Sequence, residues 1–97
     1  MTNRPSSPSM ISLHLVIHGR VQGVFFRDTM RREALAQSVT GWVRNLSDGT
    51  VEAVVRGTPP AVNAIVQWAH RGPQHALVER VDIEPDGGRY DGFEVIA

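Results

Sequence analysis

The chain has no cysteine, which rules out disulfides, thiolate metal sites and a cysteine nucleophile. That absence suits a reducing compartment, and a cytoplasmic location is expected. Net charge is also missing, because 10 Lys+Arg offset 10 Asp+Glu. A general attraction to nucleic acid or to an anionic membrane is therefore not expected, and any anion site must be local. No apolar run is long enough to span a bilayer. The first nine residues lack the apolar core of a signal peptide. They are polar and proline-rich, and residues 1–9 read as a disordered tail that cannot offset the entropy of ordering. Internal repeats are absent as well. What remains is one domain over residues 10–97, large enough for a single modest core.

Within that domain the hydrophobic period changes repeatedly. Leu13, Leu15 and Ile17 alternate with Ser12, His14 and His18, the pattern of a half-buried strand. Residues 24–37 switch to a helical period, with Phe26, Met30 and Ala34 at four-residue steps. Residues 39–45 and 50–56 read as two strands joined by the turn Leu46-Ser47-Asp48-Gly49, hence a hairpin. Thr58-Pro59-Pro60 reads as an N-cap followed by prolines in a first helical turn. Ala61, Ile65 and Trp68 form that helix's apolar side, and Gly72-Pro73 stops it. Residues 76–84 form a fourth strand, Pro85-Asp86-Gly87-Gly88 a turn, and residues 92–96 a short last strand. The order predicts an α+β, ferredoxin-like βαββαβ sandwich: an antiparallel sheet with two helices on one face and a short C-terminal strand. In it the first two strands run the same way, so their ends near Gly19 and Asn45 should share one edge of the sheet.

The first of those ends carries the chemistry. Gly19-Arg20-Val21-Gln22-Gly23-Val24-Phe25-Phe26-Arg27 leads from a strand into a helix. Its glycines permit positive φ and keep Cβ atoms away from a ligand. Successive inward N–H groups beside a helix N-terminus make an anion site, and Arg27 adds a planar charged fork for paired phosphate oxygens. On local sequence alone, a tight turn with a solvated arginine explains the segment equally well. A second segment changes the balance: Gly41-Trp42-Val43-Arg44-Asn45, then Asp48-Gly49 and Val51-Glu52.

Together the two segments closely resemble the acylphosphatase family, in order and spacing, over roughly residues 12–96. The resemblance implies a metal-independent hydrolase that needs no cofactor and acts on small-molecule acyl phosphates. It implies that Arg27 binds the phosphate with the loop of Arg20, Val21, Gln22, Gly23 and Val24, and that Asn45 orients the attacking water. A monomer is expected, with no nucleic acid or membrane partner. Nothing in the sequence marks a pocket for the acyl group, so loose selectivity is expected there. A non-catalytic anion-binding or regulatory domain of the same fold is the rival reading. Similar domains also open larger carbamoyl-transfer maturation proteins. The chain's end at Ala97 favours a free-standing enzyme.

Other conspicuous residues read as structural. His14 and His18 are expected on solvated surface, since they lack metal-ligand spacing with His70 and His75. Arg20 and Arg44 read as surface arginines that enrich the local field. Trp42 and Trp68 read as core or edge packing, Asp48-Gly49 as a turn signal, and Arg31-Arg32-Glu33 as a wet helical face. Where the family commonly has leucine-glycine, this chain has Gln37-Ser38. Ser38 is expected in a left-handed helix cap, and Gln37 on the buried stripe at the expense of apolar burial.

Overall fold

The computed structural model describes residues 9–97. Residues 1–8 of the expected tail lie outside the described residues. Strands β1 (Ile11–Arg20), β2 (Thr40–Asn45), β3 (Val51–Gly57), β4 (Leu77–Pro85) and β5 (Phe93–Val95) form one sheet in the order β4-β1-β3-β2-β5. Helices α1 (Phe26–Ala36) and α2 (Pro59–Arg71) supply the remaining regular structure. β3 pairs antiparallel with both β1 and β2. β1 and β2 therefore run the same way on its two sides, as the sequence order requires.

One core lies between the helices and the sheet. Leu15 and Ile17 of β1, Val43 of β2, and Val51, Ala53 and Val55 of β3 meet Phe26, Met30 and Ala34 of α1 and Val62, Ile65 and Trp68 of α2. β1 and β3 contribute alternate residues to it, and each helix one stripe. The Phe26 and Trp68 rings pack with centroids 5.1 Å apart and planes tilted by 56°, an arrangement aromatic quadrupoles favour. Thr58 caps α2, its hydroxyl accepting from the Ala61 N–H, with prolines following in the first turn.

Four sequence expectations need correction. The sheet is mixed, because β5 pairs parallel with β2. β4 runs antiparallel to β1 and delivers the chain to the sheet end remote from Gly19 and Asn45. A strand that starts there on the far edge can only run alongside β2 in the same direction. Helix α1 starts at Phe26 rather than Val24, because Phe25 takes a left-handed conformation with φ 63°. Gln37 is the exposed C-cap and not part of the buried stripe, which ends at Ala34. His14, His18 and Arg44 are not simply solvated. His14 Nε2 lies 2.7 Å from Glu52 and His18 Nε2 2.9 Å from Asp82, while Arg44 Nε donates to Glu52 at 2.6 Å. The helix-free face of the sheet carries acidic residues beside these bases, directly across for Arg44 and diagonally for the histidines. Trp42 is half-buried on this face, with the Arg44 guanidinium 5.5 Å from its ring centroid.

The crossing from β4 to β5 is pinned by Asp86. Its Oδ2 accepts from the Ser12 hydroxyl at 2.8 Å, the Gly88 N–H at 2.8 Å and the Tyr90 hydroxyl at 2.9 Å. The Gly88 N–H foremost, with help from Ser12 and Tyr90, holds the Asp86 carboxyl below its usual pKa against the opposing effect of burial. A carboxyl depressed in the folded state stabilises it above the unfolded-state pKa, and that contribution is lost as pH falls through the folded value. Thermal unfolding at pH 7 and pH 3 checks this. The drop in Tm between the two is expected to be smaller in Asp86→Asn than in the parent.

As expected, Ser38 is left-handed, with φ 58°. The Ser38 and Val39 N–H groups donate to the carbonyls of Leu35 and Ala34, a Schellman ending that favours glycine at the Ser38 position. A left-handed non-glycine residue costs about 1 kcal/mol. Ser38→Gly is therefore expected to raise Tm by roughly 4 °C with no change in turnover; an unchanged or lower Tm would contradict this account of the cap.

Candidate active site

The register of β1 against β4 shifts between His18 and Gly19. This bulge turns the chain out of the sheet and into the 21–25 loop. Gly19 has φ 129°, and a Cβ there would lie 2.1 Å from the Leu77 carbonyl oxygen. No larger residue fits the crossing. Gly23 has φ 75° with open space where a Cβ would be, so here backbone conformation, not crowding, calls for glycine.

The loop and the start of α1 face a cavity of about 440 Å³ lined by Val21, Gly23, Phe25, Phe26, Arg27, Asp28, Asn45 and Val95. Val21 and Phe26 are buried and form its floor, whereas Phe25 and Val95 are exposed. Asn45 arrives as the last residue of β2. Val95 arrives because β5 runs parallel to β2 and ends at the same edge.

Three features leave this cavity rich in uncommitted donors. Among the described residues, no N–H from Gln22 to Phe25 donates to a protein acceptor. Among the described residues no side chain caps α1, so its first N–H groups are also open. Arg27 has no ion-pair partner among the described residues, as is also true of Arg20, Arg31, Arg56, Arg71 and Arg89. The one acidic lining residue, Asp28, is bridged to Arg32 at 3.1 Å. Its charge is thus drawn one turn along the helix, away from the loop. At Asn45 the side-chain Oδ1 is buried and accepts nothing from the described residues. A buried amide left in that state carries a penalty of about 1–3 kcal/mol. The fold leaves its hydrogen-bonding capacity unspent.

Val21, Gly23, Arg27 and Asn45 line one cavity, whereas the side chains of the other three sequence candidates lie outside its lining. Arg20 is the exposed last residue of β1, opposite Leu77. Val24 packs against the core and lines a neighbouring cavity. Gln22 points across to the hairpin, where its Nε2 donates to the Leu46 and Thr50 carbonyls at 2.8 and 2.9 Å. It ties the loop to the segment that follows Asn45. Asp48 stiffens the same hairpin by accepting from the Thr50 hydroxyl and N–H, bonds that lower its pKa.

Sequence reasoning missed Phe25 and Val95. For Phe25 a signal existed: Phe26 belongs to the buried stripe, so its neighbour has to point elsewhere. Val95 had none, since its position depends on the pairing of β5.

The chain is similar to known proteins over most of its length. The acylphosphatase family model matches residues 13–95. The chain is 61% identical over 85 residues to an acylphosphatase of Thiobacillus denitrificans, covering 88% of this chain and 96% of that protein. It is 54% identical over 89 residues to an acylphosphatase of Thermococcus kodakarensis, covering 89% and 96%. The solved structure of an acylphosphatase from Coxiella burnetii superposes with a TM-score of 0.86 at 38% identity, covering 90% and 93% of the two chains.

The tie between Gln22 and the hairpin can be tested directly. Gln22→Ala is expected to destabilise the fold by about 1–2 kcal/mol and to weaken binding of inorganic phosphate several-fold by calorimetry. Unchanged phosphate affinity would separate the tie from the anion site.

Proposed function

The chain belongs to the acylphosphatase family, and from that premise we propose that it hydrolyses acyl phosphates to a carboxylate and inorganic phosphate in the cavity between the 21–25 loop and Asn45. An acyl phosphate is a mixed anhydride whose leaving carboxylate is already stable. Strong general-acid help is therefore unnecessary. The demand is to hold a dianionic phosphate, offset charge on its oxygens and place a water in line with the scissile P–O bond.

Arg27 and the loop N–H groups meet the first two needs. The guanidinium offers a fork to two phosphate oxygens, and the N–H groups at the helix start add partial positive charge. Asn45 meets the third. Its Oδ1 can accept a hydrogen bond from the water, leaving an oxygen lone pair directed at phosphorus, and an uncharged amide does not repel the phosphate. As the water oxygen bonds to phosphorus, the P–O bond breaks, the carboxylate departs with the electron pair, and the water's protons stay with the phosphate that is released. Positive charge comes from Arg27 and the backbone, so the scheme calls for no metal ion. In the same reading the protein works as a cytoplasmic monomer without a nucleic acid or membrane partner. The observation that carries the reading is that an arginine and an asparagine Oδ1, each without a protein partner among the described residues, belong to residues lining one cavity.

Hydrolysis of acetyl phosphate in the presence of a chelator tests it. Full activity is expected in chelator, and Arg27→Ala and Asn45→Ala should each lower kcat by at least ~10²-fold, as loss of one transition-state donor does elsewhere. Arg27→Ala should also weaken phosphate binding, whereas Asn45→Ala should leave it intact. A folded parent protein that binds phosphate without turnover would instead indicate an anion-binding domain.

A further inference from the structure

Phe25 combines two properties that the phosphate chemistry does not use. It is a bulky residue held at φ 63°, where non-glycine side chains are rare. Its side chain is also 79% exposed. Folding gains little burial from this residue, whereas Phe26 beside it is fully packed. Phe25 stands between two cavities and lines both: the one described above, and a second of about 330 Å³ lined in part by Val24, Thr29 and Pro73.

The placement follows from the substrate's own geometry. With phosphorus held at Arg27 and the loop, the acyl carbon is two bonds away, beyond the bridging oxygen. It must lie towards the mouth, because the floor is closed by Val21 and Phe26. The large apolar side chains exposed around that mouth are Phe25 and Val95. Asp28 is bound to Arg32, so the charged lining does not compete for an apolar group there.

We infer that Phe25, with Val95, is the acyl-group contact of this site, and that it selects planar apolar acyl groups over small ones. The left-handed backbone turns the ring out of the helix and presents it to the substrate. The acyl group then covers apolar surface that the folded protein leaves in water. An aromatic acyl group gains further from the ring's quadrupole. This inference rests on the acyl phosphate reading and assigns the part of the substrate that the reading leaves open. It also replaces the expectation of loose selectivity.

The test compares kcat/KM for benzoyl phosphate and acetyl phosphate in the parent protein, Phe25→Gly, Phe25→Tyr and Val95→Ala. Glycine accepts φ 63° without strain, and the ratio of the two substrates cancels any general disturbance of the loop. The benzoyl-to-acetyl ratio is expected to fall about tenfold in Phe25→Gly, equivalent to ~1.4 kcal/mol, chiefly through the KM for benzoyl phosphate. Phe25→Tyr keeps the ring and should keep the ratio. Val95→Ala, remote from the loop backbone, should lower it by a smaller factor. A ratio unchanged in both Phe25→Gly and Val95→Ala would overturn the inference while leaving the hydrolase reading intact. Failure of the parent protein to hydrolyse either substrate would overturn the hydrolase reading itself.

Discussion

The burial of Phe26 is the constraint on which the site depends. Its ring is packed against Trp68, beneath the first turn of α1. Successive helical side chains diverge by about 100°, so fixing Phe26 inward decides where its neighbours go. Arg27 is left at the cavity wall, and Phe25, set by its left-handed backbone, is left at the mouth. One apolar contact therefore orients both the cation for the phosphate and the ring assigned to the acyl group. A polar residue at Phe26 would disturb the core and the site together.

The opposite face of the sheet does a separate job. There His14, Arg44 and Glu52 form a bridged group across β1, β3 and β2. Burial raises the Glu52 pKa, but the bonds from His14 and Arg44 outweigh it and keep the carboxyl below its usual value. Arg44 is the residue before Asn45, and Glu52 the residue after Val51, which pairs with Asn45. The end of β2 is thus braced from one side by this network. Gln22 joins the loop to the adjoining hairpin from the other. Partly exposed ion pairs of this kind add little to global stability. Their effect is local: they hold the strand that carries the asparagine.

Much of this is legible in the sequence. The Phe26, Met30 and Ala34 spacing identified α1, and the same stripe is the one buried. Thr58-Pro59-Pro60 marked the start of α2 because a missing N–H is harmless there. Arg27 and Asn45 were nameable from two short motifs, and they do line a single cavity. Less was legible where a residue's environment comes from another strand. The partners of His14 and His18 lie 38 and 64 residues away, so a lone strand pattern showed only an outward face. Arg20 and Val24 lie inside the motif, yet their side chains do not line the cavity.

Local chemistry, acting over a few residues, settled which segments are strands, helices and turns, and which residue types could bind an anion. Side-chain period and φ preference are properties of neighbouring residues, so the sequence alone determines them. The tertiary structure decided the rest. It set β5 parallel to β2, which brings Val95 to the mouth, and it left Asn45 Oδ1 without a partner among the described residues and Phe25 largely in solvent. Each of these depends on packing between segments far apart in the chain. Such contacts form only once the core has fixed where every element lies.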